Sequence, residues 1–188
     1  MANSGKPAQI FIVEDNDPDV FLVEEALRSQ RVPAQIRRCQ DGEEAIQALS
    51  QIDAEHLPDV IIIDLNLPKI TGLDILKHVR SLKQLDGVPV LILTSSQSKA
   101  DRALSLQLGA NAYVAKPPTL QEFLSTVGSG IRGLLERSSD GEPGARQRPK
   151  PCHDRRTRLR FRASQAVTRS LTGRVTRMRA IEIPPRSL

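Results

Sequence analysis

The stretch Val60-Ile-Ile-Ile-Asp64 places four consecutive β-branched residues directly before a carboxylate. A continuous apolar run without alternating polar residues is typical of a strand buried on both faces of a parallel sheet. Two similar runs are Gln9-Ile-Phe-Ile-Val13 and Pro89-Val-Leu-Ile-Leu93, and weaker strand candidates occupy residues 36–39 and 112–115. The sequence therefore predicts five strands.

The segments between these strands have helical periodicity and recognisable first residues. Asp17 is predicted to cap the first helix, with Pro18 at its first position. Gly109 is predicted to end the fourth helix. The second to fifth helices are predicted to be opened by Asp41, Thr71, Ser98 and Thr119, the last with Glu122 three residues on.

Strands and helices that alternate five times predict right-handed crossovers and an α/β fold with a doubly wound, five-stranded parallel sheet. The expected strand order is 2-1-3-4-5, as in flavodoxin-like folds. Ligands of such sheets bind outside the carboxyl ends of the strands at the switch point, here between the first and third strands. The chemistry should therefore lie where these two strands end.

Charge divides the chain of 188 residues into two parts. Residues 1–137 carry 14 Lys/Arg against 18 Asp/Glu, a net charge of −4, whereas residues 138–188 carry 13 against 4, a net charge of +9. We predict one domain over residues 8–136 and an Arg-rich, disordered tail over residues 137–188, because the tail has few large apolar residues. The order and function of the tail are not fixed by its sequence.

The tail contains one segment with apolar residues at helical spacing among basic ones, namely Val167, Leu171, Val175 and Met178. Such a segment suits an acidic partner, nucleic acid or a membrane surface, and we expect at most weak contact with nucleic acid through it. Cys39 and Cys152 lack metal-ligand spacing and lie in compositionally different regions, which indicates a reducing, cytoplasmic location. No apolar run approaches the length needed to cross a bilayer, so no membrane association is expected.

Acidic residues follow both strands at the predicted switch point. Glu14 and Asp15 come after the first strand, and Asp64 follows the third. Crowded carboxylates repel one another unless a cation is present, and Mg²⁺ is a natural counter-charge for oxygen ligands. Thr94 and Lys116 end the fourth and fifth strands, adding a hydroxyl and an ammonium that suit phosphoryl transfer. The alternative is that these side chains simply face solvent.

Glu14-Asp15, Asp64, Thr94 and Lys116-Pro117, in this order, resemble the response-regulator receiver domain of the CheY-like family. The intervals are 30 residues from Asp64 to Thr94 and 22 from Thr94 to Lys116. Short motifs, among them residues 64–68 (DLNLP), are similar to those of the small single-domain receivers that serve bacterial phytochrome kinases.

The resemblance implies a phosphoprotein of a two-component phosphorelay, with Asp64 as phosphoryl acceptor. It implies Mg²⁺ held by Glu14, Asp15, Asp64 and the Asn66 backbone carbonyl. Thr94 and Lys116 would contact the phosphoryl group. Tyr113 would be a switch aromatic that swings inward as Thr94 moves. Pro117 would follow a cis peptide bond, although the second proline, Pro118, leaves a trans bond open.

A sensor histidine kinase, of the phytochrome type on the narrower resemblance, is the expected partner. A homodimer through the fourth helix, fifth strand and fifth helix is the expected assembly. The resemblance implies a regulator with slow autodephosphorylation rather than an enzyme. A phosphatase of the haloacid-dehalogenase type is the first alternative, but it needs a second Asp where Asn66 stands. A transcription factor that binds DNA through its tail is the second, although no helix-turn-helix pattern is present.

Overall fold

A computed structural model describes residues 6–139, with side chains to residue 138. The five strands form one parallel sheet of order β2-β1-β3-β4-β5, which confirms the predicted topology. The strands are β1 Ala8–Val13, β2 Ala34–Cys39, β3 Val60–Ile63, β4 Val90–Thr94 and β5 Ala112–Ala115. The helices are α1 Asp17–Ser29, α2 Gly42–Ser50, α3 Gly72–Ser81, α4 Lys99–Gln107 and α5 Leu120–Ser139, and a short 3₁₀ helix over Lys83–Leu85 was not predicted.

The core lies on both faces of the sheet, which explains the uninterrupted apolar strands. On one face, Phe11, Ile61 and Ile63 belong to a cluster that includes buried residues of α2 and α3. On the other face, Ile12 and Ile62 belong to a cluster that includes buried residues of α1 and α5. Successive strand residues point to opposite faces, so every position in β3 must be apolar.

Most predicted helix starts are confirmed by capping hydrogen bonds. The side chains of Asp41, Thr71 and Ser98 each accept a bond from the backbone N–H three residues later. Thr119 Oγ1 accepts from the backbone N–H of Glu122 at 3.3 Å and donates to its carboxylate at 2.9 Å. Gly109 follows α4 with a φ of 100°, a conformation that favours glycine.

The predicted cap of α1 is wrong by one residue. Asp17 is already inside the helix, and Asn16 is the N-cap, without a side-chain capping bond. The Asp17 carboxylate instead forms an ion pair with Arg38 at the end of β2. The Asp17 side chain, which was predicted to cap α1, is thus engaged in an ion pair with a residue that is distant in the sequence.

The Gly128-Ser-Gly130 sequence within α5 has a structural explanation at its first glycine. A Cβ atom on Gly128 would lie 2.6 Å from the carbonyl oxygen of Ala26 in α1. Gly128 therefore allows α5 to pack closely on α1. A Cβ atom on Gly130 would meet nothing within 4 Å.

No helix within residues 6–139 is long and apolar enough to cross a membrane. Helix α5 continues to Ser139, three residues past the predicted domain boundary. The predictions for the rest of the Arg-rich tail, including its disorder and its basic helix, fall on residues 140–188, outside the described residues.

Candidate functional site

The sheet brings the predicted acidic residues together where β1 and β3 end. Val13 pairs with Ile63 in the parallel register, and the backbone N–H of Asp64 donates to the Val13 carbonyl at 3.1 Å. Glu14 and Asp64 therefore leave neighbouring strands at the same level. Both are buried, at 2% and 5% exposure, so the solvent-facing alternative does not describe them.

Lys116 lies between these carboxylates and binds both. Its backbone N–H donates to the Thr94 carbonyl at 2.7 Å, which fixes the residue at the carboxyl edge of the sheet. Its Nζ lies 2.8 Å from Glu14 Oε2 and 2.8 Å from Asp64 Oδ2. A third carboxylate, that of Asp19 in the first turn of α1, lies 2.7 Å from the same nitrogen.

Burial and charge act in opposite directions at this ammonium. Desolvation lowers the pKa of Lys116, but hydrogen bonds to Asp19, Asp64 and Glu14 outweigh it and raise the pKa above its ordinary value. Burial raises the pKa of Glu14 more than Lys116 lowers it. Lys116 therefore remains charged, and it offsets part of the cost of keeping carboxylates away from water.

The Asp64 carboxylate is held on both of its oxygens. Oδ2 accepts from Lys116, and Oδ1 accepts from the backbone N–H of Asn66 at 3.0 Å. The loop then turns back, so that a Cβ atom on Gly72 would lie 2.1 Å from the Asp64 carbonyl oxygen. Only glycine fits there, and this close contact helps to fix the backbone that carries Asp64.

Thr94 ends β4 next to this group and is fully buried. Its hydroxyl oxygen accepts from the backbone N–H of Ser96 at 3.3 Å and from the Asn66 side-chain amide at 3.4 Å. The same amide donates to Ser95 Oγ at 3.0 Å. Asn66 thus links the loop after Asp64 to the loop after Thr94, a side-chain contact that the sequence did not indicate.

Asp15 is exposed and lies in a loop that Arg38 braces from β2. The Arg38 guanidinium donates to the Glu14 and Asp15 carbonyls, each at 2.9 Å, and pairs with the Asp17 carboxylate. Neither Arg38 nor Asp19 was predicted as a site residue. Their roles depend on which elements become neighbours, and local sequence carries no signal for that.

The side chain of Tyr113 lies in the interior of this structure. The inward swing that the resemblance implies therefore has no outward starting position here. The Tyr113 ring is 7% exposed, its hydroxyl donates to the Ser96 carbonyl at 2.9 Å, and the Arg102 guanidinium lies 5.8 Å from the ring centroid. These contacts tie Tyr113 to the loop that follows Thr94. They retain the ring in the interior.

The prediction of a cis bond before Pro117 is wrong, because no peptide bond within the described residues is cis. The trans form of a bond before proline is favoured by about 0.5–1 kcal/mol. The Lys116–Pro117 bond is trans in this structure, in which Lys116 Nζ lies 2.8 Å from Asp64 Oδ2.

The donor chemistry of the site fits a hard divalent cation. Three carboxylates, those of Glu14, Asp19 and Asp64, contact the ammonium of Lys116, and oxygen is the ligand atom that Mg²⁺ prefers. In the part of the chain that the structure describes, no three acidic, histidine or cysteine side chains are spaced as a metal-ligand set. Lys116 joins the carboxylates of Glu14, Asp19 and Asp64.

The fold and this group of residues define a receiver domain of two-component signalling. Residues 10–128 match the model of the response regulator receiver domain, and the chain belongs to that family. The transcriptional regulatory protein TrcR of Mycobacterium tuberculosis is 35% identical over 135 residues, covering 72% of this chain and 48% of TrcR. The chain thus spans about half the length of that relative.

Shorter relatives are covered almost completely. Response regulator Rcp1 of Synechocystis is 32% identical over 127 residues, covering 66% of this chain and 86% of Rcp1. The Mn²⁺-bound structure of Rcp1 has a TM-score of 0.62 at 31% identity, covering 69% of this chain and 96% of that one. The phosphorylated cyanobacterial phytochrome response regulator RcpA has a TM-score of 0.63 at 34% identity, covering 70% of this chain and 96% of RcpA.

Proposed function

We propose that this receiver accepts a phosphoryl group on Asp64 from a sensor histidine kinase in a Mg²⁺-dependent reaction. The observation that carries the proposal is the Asp64 carboxylate itself, which is buried and held by Lys116 at 2.8 Å and by the Asn66 N–H at 3.0 Å. Thr94 ends the adjacent strand. Phosphorylated RcpA and Mn²⁺-bound Rcp1 lend support as relatives.

In the proposed reaction, a carboxylate oxygen of Asp64 attacks the phosphorus of a phosphohistidine. An O–P bond forms as the N–P bond breaks, and the released imidazole nitrogen takes up a proton from water. Lys116 pairs with the negative oxygens, and Thr94 hydrogen-bonds one of them. Asp15, Glu14, Asp64 and the Asn66 carbonyl would hold Mg²⁺, which when bound neutralises charge on the transferring group.

The phosphatase alternative is disfavoured by the environment of Asn66. A phosphatase of that type needs a carboxylic acid two residues after the nucleophile to protonate the leaving group. The amide of Asn66 has no such proton and donates instead to Ser95 and Thr94. We therefore propose that the protein is a regulator with slow autodephosphorylation rather than an enzyme with multiple turnovers.

The proposed output is a homodimer formed through α4, β5 and α5. Phosphorylation adds about two negative charges beside Thr94, and Tyr113 is hydrogen-bonded to the loop after it. Leu104 and Leu106 in α4 and Leu120 in α5 are exposed apolar residues of these elements. Sedimentation with beryllofluoride and Mg²⁺ should show a doubled mass, and an unchanged mass would contradict the dimer.

A histidine kinase of the phytochrome type in the cytoplasm is the proposed phosphoryl donor. RcpA is a phytochrome response regulator, and its likeness to this chain covers 96% of RcpA and 70% of this chain. Incubation with candidate phosphorylated kinases from the same genome would identify the partner. The tail is proposed to add at most a weak, salt-sensitive contact with an acidic partner.

The test of the acceptor is Asp64→Asn in the full-length protein. Asparagine has nearly the same shape but is a far poorer nucleophile, so labelling by a phosphorylated kinase should disappear while the circular dichroism spectrum is retained. Asp53→Asn is the matched control, because the hydrogen bonds of this exposed aspartate are to Glu55 and His56 of its own loop. Undiminished labelling of Asp64→Asn would refute the assignment.

A further inference from the structure

All three hydrogens of the Lys116 ammonium are engaged by carboxylates. A lysine ammonium has three N–H donors and no acceptor. Its partners are Glu14 at 2.8 Å, Asp19 at 2.7 Å and Asp64 at 2.8 Å. A phosphoryl oxygen can therefore receive a hydrogen bond from Lys116 only if one of these carboxylates gives one up.

The three carboxylates differ in what they lose on release. The side chains of Glu14 and Asp64 are 3% and 6% exposed, whereas that of Asp19 is 21% exposed. A released carboxylate must be rehydrated, and this costs least where water already reaches it. Asp64 would carry the phosphoryl group and Glu14 would hold Mg²⁺, whereas Asp19 has no other role in the proposed reaction. Asp19 is therefore the partner that yields.

We infer that Asp19 is a positioning residue that restrains Lys116 and competes with the phosphoryl oxygens for its third N–H. This inference rests on the proposed phosphorylation of Asp64. In the unphosphorylated protein, Asp19 draws Lys116 toward α1. On phosphorylation, the group of about two negative charges takes over the third hydrogen bond. Asp19 then faces water and repels the new charge.

An ordinary role for Asp19 would be to stabilise the N-terminus of α1 through the helix dipole. Asp17 separates the two roles, because it is an acidic residue in the same first turn. Asp17 pairs with Arg38 and not with Lys116. Asp17→Asn thus removes the same charge from the same helix turn without touching the lysine.

The experiment measures beryllofluoride binding to the full-length protein at saturating Mg²⁺. The chain has one tyrosine and no tryptophan, so the intrinsic fluorescence of Tyr113 reports on this sheet edge, and fluorine NMR gives an independent measure of binding. Asp19→Asn should bind beryllofluoride about three- to tenfold more tightly than the wild-type protein. This factor corresponds to about one partly exposed, charge-assisted hydrogen bond, which the variant no longer has to break. Asp19→Glu should remain near wild type.

The outcomes distinguish this inference from the proposed function. Failure of the wild-type protein to bind beryllofluoride would overturn both. Binding by wild type with unchanged or weaker binding by Asp19→Asn would overturn the role of Asp19 alone. An equal gain in Asp17→Asn would do the same, because the effect would then be general electrostatics. If Asp19→Asn does not fold, Asp19→Ser is measured against the same expectations.

Discussion

Replacing single glycines of α5 by alanine tests how closely this helix packs on α1. In Gly130→Ala, the added methyl meets nothing within 4 Å, so the variant should gain the ordinary helix preference of alanine, about 0.5–1 kcal/mol. In Gly128→Ala, the methyl would lie 2.6 Å from the Ala26 carbonyl oxygen. Overpacking of this kind costs about 1–3 kcal/mol, which exceeds the gain. The free energies of unfolding of the two variants should therefore differ by about 2 kcal/mol, with Gly130→Ala the more stable.

Urea denaturation followed by circular dichroism measures both variants against wild type. The midpoint should rise for Gly130→Ala and fall for Gly128→Ala at an unchanged slope, and the melting temperatures should move in the same directions by about 2–5 °C. A Gly128→Ala protein as stable as Gly130→Ala would refute the close packing of α5 on α1.

Three further predictions concern the site and its surroundings. Gly72→Ala should destabilise the protein by about 3 kcal/mol and weaken beryllofluoride binding, since its methyl would strike the Asp64 backbone; wild-type binding would contradict this. Arg38→Lys should lower the free energy of unfolding by about 1 kcal/mol, because one ammonium cannot replace forked donors at two carbonyls. An unchanged urea midpoint would show that charge alone suffices. Cys39 is buried, and burial raises the pKa of its thiol to about 11, so in a Cys152→Ser background this thiol should react with a disulfide reagent at pH 8 only on unfolding; rapid native labelling would refute its burial.

The topology and the proximity of the main candidate site residues could be predicted because they follow from local patterns. Uninterrupted apolar runs are typical of strands covered on both faces, and parallel strands bring their carboxyl ends to one edge. Glu14, Asp64, Thr94 and Lys116 each lie at or next to such an end. Their proximity therefore required no knowledge of side-chain packing.

The sequence could not predict contacts made across elements. Asp19 resembles any acidic residue in a first helical turn, and only the folded chain brings it to Lys116, which lies 97 residues later in the sequence. Asp17 looks like a helix cap until Arg38 is placed opposite it. Gly128 appears to weaken α5 when helix propensity is considered alone, because the close approach of α1 is a tertiary feature.

The threefold binding of Lys116 has a consequence for the order in which the chain assembles. The lysine lies 102 residues after Glu14, 97 after Asp19 and 52 after Asp64, so these contacts close only after the last strand has been synthesised. A nascent chain that ends before β5 would carry the acidic pocket without its counter-charge, and carboxylates that repel one another would disfavour burial of the two strand ends. Long-range pairings of this kind are slow steps in folding. Docking of β5 should therefore complete the site before α5 completes the core, and a chain that ends before β5 would lack both.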